Sequence, residues 1–198
     1  MKNITAGLFL LAVVAAATEQ KSAPFAKALG VSTAPIKIEV FSDFQCPSCK
    51  VLYEGALQPL INDYVATGKV YLVHRDFPLP MHAHAREAAA YAIASSRINK
   101  YELVTAALFR QQSIWAANGK VQEAVAAVLN ISEMKKVQGL INDPTIAAEM
   151  EQDIALGKQA NVRQTPTMII TRKGIAYPVS GSVTYNILRR FLDDLLNK

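Results

Sequence analysis

Phe41-Ser42-Asp43-Phe44-Gln45-Cys46-Pro47-Ser48-Cys49-Lys50 holds both cysteines of the 198-residue chain, and its reading decides the fold. Upstream, Ile36-Lys37-Ile38-Glu39-Val40-Phe41 is β-branched and aromatic and predicts a strand. Downstream, Val51, Leu52, Leu57, Leu60, Ile61 and Tyr64 recur at roughly helical spacing. The cysteines therefore fall at the start of a helix that leaves a strand through a tight turn. The first turn of a helix offers free N–H groups and about half a positive charge, so a thiolate is stabilised there. Such placement lowers a cysteine pKa from about 8.5 to between about 3.5 and 7.5. Cys46 is expected at or near the N-cap, and Pro47 suits the first helical position, where no N–H is needed. Cys49 lies one turn on along the same face, with α-carbons about 5–6 Å apart, a span that a disulfide bridges without strain.

The chain is 51% hydrophobic, enough to bury one good core, and its length favours one domain with an inserted subdomain. Residues 1–17 stand apart: Lys2 precedes an apolar run over 4–17 that ends in Ala15-Ala16-Ala17 and is shorter than the ~20 residues of a membrane span. This is the pattern of a signal peptide cut after Ala17, the alternative being an uncleaved N-terminal membrane anchor; either way the cysteines are exported. Export permits disulfides, but a bridge that closes so small a loop is a poor structural staple. The net charge of +5 is mild and carries no block of like charge, so nucleic-acid binding is not indicated.

Residues 18–35, with Pro24, Gly30 and Pro35 as breakers, read as a linker or loosely held N-terminal arm. A second strand over 70–77, parallel to the first, ends at Pro78 and Pro80. Residues 81–161 are alanine-rich and helix-periodic, an all-helical insertion with helices expected at about 83–97, 101–112, 121–130, 132–142 and 144–159. Asp143 and Pro144 supply the N-cap and first turn of the last of these. Trp115 falls in a connection and reads as a buried plug. A hairpin follows over 167–179, turning at Lys173-Gly174. The chain closes with an amphipathic helix over 183–196 whose apolar face is Ile187, Leu188, Phe191, Leu192, Leu195 and Leu196.

Strand, Phe-Ser-Asp-Phe-Gln-Cys-Pro-Ser-Cys, a strand ending Arg75-Asp76-Phe77-Pro78-Leu79, helical insertion, Gln164-Thr165-Pro166-Thr167, hairpin and final helix: from Ile36 onward this order resembles the DsbA-like thiol:disulfide oxidoreductases of the thioredoxin superfamily. The resemblance implies an α/β thioredoxin-like fold, formed by residues 36–80 and 162–198, with the all-helical insertion between the second strand and the cis-proline strand. It implies that Cys46 is an exposed nucleophile and Cys49 its buried partner, and that Thr165-Pro166 is a cis-proline loop holding substrate through its backbone. No cofactor is implied. The partners implied are reduced exported proteins as substrates and a membrane quinone-linked reoxidising enzyme of the DsbB or vitamin K epoxide reductase type. No dimerisation domain is visible before Ile36, so a monomer is expected.

Two positions depart from the pattern. The buried acid that many thioredoxins carry six residues before the first cysteine is replaced by Val40, with Glu39 pointing to the other face of the strand. Ser48 stands where DsbA has a histidine between the cysteines, which implies a weaker oxidant because a hydroxyl brings no positive charge. With Pro47 and Ser48, Asp43 is a candidate for tuning the site, although its position in the turn equally fits a loop-capping aspartate. His82 and His84 with the two cysteines would make a Cys2His2 zinc set, but the histidines are two apart at a helix start and share no face. His74 reads as a hydrogen-bonded sheet residue. The leading expectation is a disulfide-forming oxidoreductase; a reductase or isomerase of the same fold, and a chaperone-like peptide-binding module, are the alternatives.

Overall fold

The computed structural model describes residues 27–198. The signal-peptide reading of 1–17 and most of the arm lie outside the described residues, among which no helix is long and apolar enough to cross a membrane. Five strands form one sheet in the order β1-β3-β2-β4-β5, where β1 is Ala28–Leu29, β2 Ile36–Ser42, β3 Val70–Asp76, β4 Thr167–Arg172 and β5 Ile175–Ser180. The β2–β3 pair is parallel and the other three are antiparallel. Apolar residues fully buried in β2 and β3, Ile36, Ile38, Val70 and Leu72 among them, make these central strands the floor of the core.

Between β2 and β3 runs one long helical stretch, opening as α1 (Pro47–Leu52). It continues through a π-helical turn (Tyr53–Leu57), α2 (Gln58–Leu60) and a second π-turn (Ile61–Val65). Pro59 explains the first widening: its ring cannot donate the ladder hydrogen bond and crowds the preceding turn, so the helix loosens to let it pass.

The insertion between β3 and β4 is helical, as expected, but carries six helices rather than five: α3 (Ala85–Ser96), α4 (Tyr101–Arg110), α5 (Gln112–Asn118), α6 (Val121–Ala126), α7 (Ile131–Leu140) and α8 (Pro144–Gln159). The unforeseen one is α5. It is a two-turn helix without a side-chain cap, closed by Gly119 at φ +74°, and too short for its periodicity to show. Trp115 lies within it rather than in a connection; the side chain is buried and donates Nε1–H to the Leu108 carbonyl at 2.7 Å. The last helix, α9 (Tyr185–Leu196), buries Leu188, Leu192 and Leu195, but Ile187 at the edge of the stripe is left exposed.

The arm reading of 18–35 needs correction at its described end. Ala28–Leu29 pairs with β3 across from Val73 and Leu72, and Gly30 then turns the chain away at φ +87°. A Cβ there would meet the Val70 carbonyl at 2.7 Å, so only glycine fits. Lys27 is buried, with Nζ 2.7 Å from Asp76 and 3.2 Å from Glu149, and hydrogen-bonded to Asp153. Asp153 also accepts from Arg75 at 3.0 Å and from the Asp76 backbone N–H at 3.1 Å, while Arg75 pairs with Glu39 at 2.6 Å. Burial opposes the Lys27 charge, but Asp76 and Asp153 outweigh it and hold its pKa above the ordinary lysine range. This ionic cluster pins α8 of the insertion to β1 and β3.

A second tie is apolar. Gly157 of α8 lies against Phe77 and Phe41, whose rings meet edge to face at 6.2 Å, and a Cβ on it would stand 2.5 Å from the Phe77 ring. Gly139 of α7 faces open space. The same substitution should therefore act in opposite senses. Gly139→Ala is expected to stabilise by about 0.5–1 kcal/mol through helix propensity, whereas Gly157→Ala should lower stability by about 1 kcal/mol, overpacking outweighing propensity. Denaturant melts of the two variants decide this; a Gly157→Ala protein as stable as the parent contradicts the close contact.

Candidate active site

The site assembles where β2 ends. Ser42 closes the strand, residues 43–46 turn, and Cys46 becomes the N-cap of α1 with φ −75° and ψ 121° and no side-chain capping bond. Its carbonyl accepts the N–H groups of Cys49 (3.1 Å) and Lys50 (3.3 Å), opening the helix. Pro47 and Ser48, the first two helical residues, are exposed. Across the sheet Phe41 of β2 faces Thr167 of β4, which brings the residues before β4 beside the turn. The Thr165-Pro166 peptide there is cis, and the Cys46 thiol reaches the Thr165 carbonyl at 3.4 Å.

Both cysteines are free thiols, and they are not equivalent. Cys46 is 7% exposed and Cys49 1%. The resemblance implies an exposed nucleophile; here Cys46 is largely covered, its sulfur lying against the Thr165 main chain. A hydrogen bond from the Cys49 thiol lowers the Cys46 pKa, working against burial; Thr165 and the N–H groups of Cys49 and Ser48 add to it, and the value falls to about 5. Thr165 Oγ1 is buried and has no hydrogen-bond partner beside the neutral thiol, so its O–H is free to turn to the thiolate. Burial pushes the Cys49 thiol up, despite the Asp43 N–H that points at its sulfur from 3.4 Å. The pair is therefore arranged to favour charge on Cys46 and the proton on Cys49.

The pH dependence follows in sign. Cys46 has a folded pKa below that of an unfolded thiol, so it contributes stability that is present above the unfolded value and lost as pH falls through about 5. In that window the dithiol protein should gain up to about 1.4 kcal/mol per pH unit over the disulfide form. Urea melts of both forms from acid to neutral pH test this; a gap independent of pH rules out a Cys46 thiolate.

Asp43 is fully occupied as a loop cap. Its carboxylate accepts from the N–H groups of Gln45 and Leu79 and from His82 Nδ1, each at 2.7 Å. The Gln45 side chain in turn accepts the His84 N–H at 2.8 Å. These bonds engage His82 and His84 with the turn, and no group of three or more metal-ligating side chains occurs among the described residues. Val40 is buried apolar, and Glu39 pairs with Arg75. His74 packs against the Tyr101 ring at a tilt of 50°, with centroids 5.5 Å apart, and its Nε2 lies 3.1 Å from the Glu102 carboxylate.

Two supports come from the insertion. Phe109 of α4 lies between Phe44 of the turn, tilted to it at 5.1 Å, and Tyr53, on which it stacks at 4.8 Å. Gln112, the first residue of α5, is buried and donates from Nε2 to the carbonyls of Phe44 (2.6 Å) and Cys46 (3.0 Å). Neither could be found from the sequence, where Gln112 is the last residue of the helix expected over 101–112.

Comparison with known proteins follows the same lines. The family model described as Thioredoxin matches residues 23–194. Disulfide bond formation protein D of Bacillus subtilis is 24% identical over 156 residues, covering 74% of this chain and 68% of that protein. The crystal structure of Wolbachia pipientis alpha-DsbA1 superposes with a TM-score of 0.73 at 21% identity, over 85% of this chain and 89% of that one. Oxidised BdbD of Bacillus subtilis does so at 0.69 and 21%, over 87% and 93%. At these identities the superpositions establish a shared fold.

Proposed function

The chain belongs to the thioredoxin family as a DsbA-like thiol:disulfide oxidoreductase, and from that premise we propose that it forms disulfides in exported proteins, with Cys46 as nucleophile and Cys49 as its partner. The observation that carries the reading is the asymmetry of the two thiols: Cys46 at the N-cap of α1 with its sulfur against the Thr165 carbonyl, and Cys49 one turn on and more deeply buried, a setting that favours charge on Cys46 and the proton on Cys49.

Starting from the disulfide form, a substrate thiolate attacks Cys46 Sγ. The Cys46–Cys49 bond breaks, Cys49 leaves and takes up a proton, and a mixed disulfide joins Cys46 to the substrate. A second substrate thiolate attacks its partner sulfur in that bond and expels Cys46. The substrate has lost two electrons and the enzyme holds them as a dithiol. Departure of Cys46 is favourable because its thiolate is stabilised. Main-chain groups of Thr165-Pro166, beside Cys46, hold the substrate strand, while Asp43, Pro47 and Ser48 shape the turn and the first helical turn.

Two electrons per cycle must leave the enzyme, and a membrane quinone-linked oxidase of the DsbB or vitamin K epoxide reductase type is the class of partner that takes them. The apolar run over 4–17 supports export. The reduction potential tests direction, measured by equilibration with glutathione buffers. A value nearer about −120 mV is expected for a dithiol oxidant, and one nearer about −270 mV makes the protein an exported reductase instead.

A further inference from the structure

We propose that Gln112 is a positioning residue of the redox site: from the helical insertion, its buried amide locks the main chain of the nucleophile and so governs how readily Cys46 departs as a thiolate. This rests on the oxidoreductase reading for its effect on exchange, though not for its effect on the Cys46 titration.

Cys46 caps α1 without a capping bond from its own side chain, whose thiol reaches instead to the Thr165 carbonyl at 3.4 Å, so its main chain is held from elsewhere. The Phe44 and Cys46 carbonyls converge on one buried point, and the two amide hydrogens of Gln112 Nε2 are what fills it, at 2.6 and 3.0 Å. Without that donor the two oxygens would face each other across an unsatisfied buried space, and the turn would relieve the repulsion by rotating. Rotation at Cys46 carries Sγ away from the Ser48 and Cys49 N–H groups that favour its charge. The Cys46 carbonyl also accepts the first helical N–H bonds, so Gln112 orients the end of α1 together with the nucleophile. Since Gln112 belongs to α5 and Cys46 to the β2–α1 turn, the insertion reaches the reactive sulfur through a single amide.

Full-length Gln112→Met, Gln112→Glu and Gln112→Lys proteins are compared with the parent by ultraviolet thiolate titration, equilibration with glutathione, and thermal melting. Gln112→Met, which cannot donate, should raise the titration midpoint by about one pH unit. It should also reduce the equilibrium constant for substrate oxidation about tenfold, a fall of about 30 mV in potential. Gln112→Glu, setting a carboxylate against two carbonyls, should shift both further; Gln112→Lys, which restores a donor, should return the midpoint to the parent value or below. A folded Gln112→Met protein with the parent midpoint and equilibrium constant overturns the proposal. Should that variant not fold, the side-chain amide resonances of Gln112 in the isotope-labelled parent decide: they are expected to move between dithiol and disulfide forms and to titrate with Cys46, and resonances that do neither overturn it. If the parent itself exchanges no disulfides, the oxidoreductase reading falls, while the titration still decides the role of Gln112.

Discussion

Cys46→Ser is expected to abolish oxidation of a dithiol peptide, with the rate falling by at least about three orders of magnitude. A serine hydroxyl neither forms the disulfide nor leaves as a stable anion, so both halves of the exchange are lost. Cys49→Ser should fail differently. It keeps the Cys46 thiolate but removes the resolving thiol, so a mixed disulfide between Cys46 and substrate should accumulate and be seen by mass spectrometry. The pair of variants also separates the enzyme from the chaperone-like alternative. Val51 on α1, Met81 beside His82, and Ile114 on α5 are exposed apolar residues on segments that flank the turn, a surface suited to unfolded chains. A binding module would keep its capture of unfolded peptide in Cys46→Ser and owe nothing to the thiols; full turnover in Cys46→Ser would sink the assignment of the nucleophile.

Lys27→Met is expected to destabilise the protein by about 3–5 kcal/mol, the cost of breaking a buried ion pair on one side only. The loss is large because Asp76 and Asp153 are each 2% exposed and share the one ammonium. Burial already lifts the Asp76 pKa, with Lys27 holding it down. Without Lys27 that restraint goes and burial lifts the Asp76 pKa further. A carboxyl whose folded pKa exceeds its unfolded value is penalised as pH rises above the unfolded value of about 3.9, so the deficit of the variant should grow from acid to neutral pH. Lys27→Met with Asp76→Asn should recover part of the loss, since the second change removes the carboxylate left without a cation, whereas Asp153 keeps Arg75. Denaturant melts at several pH values test all three statements. A loss under about 1 kcal/mol would place the cluster with exposed ion pairs of little consequence.

The contrast between these two sites shows what was legible in the chain. The Cys46 site is built from neighbours in sequence. An apolar strand, a turn, a proline at the first helical position and a cysteine one turn later are local signals, and local hydrogen bonding realises them. Thr165-Pro166 was visible through resemblance, and the register that sets Phe41 opposite Thr167 brings it to the thiol.

Lys27 and Gln112 had no such signal. A lysine in a segment of alanines and a glutamine at a helix end are what a solvated surface also looks like, and their burial depends on residues far along the chain: Asp76 and Asp153 for one, Phe44 and Cys46 for the other. By itself the sequence determined the parallel strands on either side of the CPSC helix, the helical character of the insertion, and the two thiols with the helix end that favours charge on the first. Only the tertiary structure decided that the segment after residue 26 is a sheet strand, that Trp115 belongs to a helix, and that the insertion grips the site through Phe109 and Gln112. The reason is physical: periodicity and capping are written in neighbouring residues, whereas a buried polar group is defined by the partner that satisfies it, and that partner is chosen when the chain closes on itself.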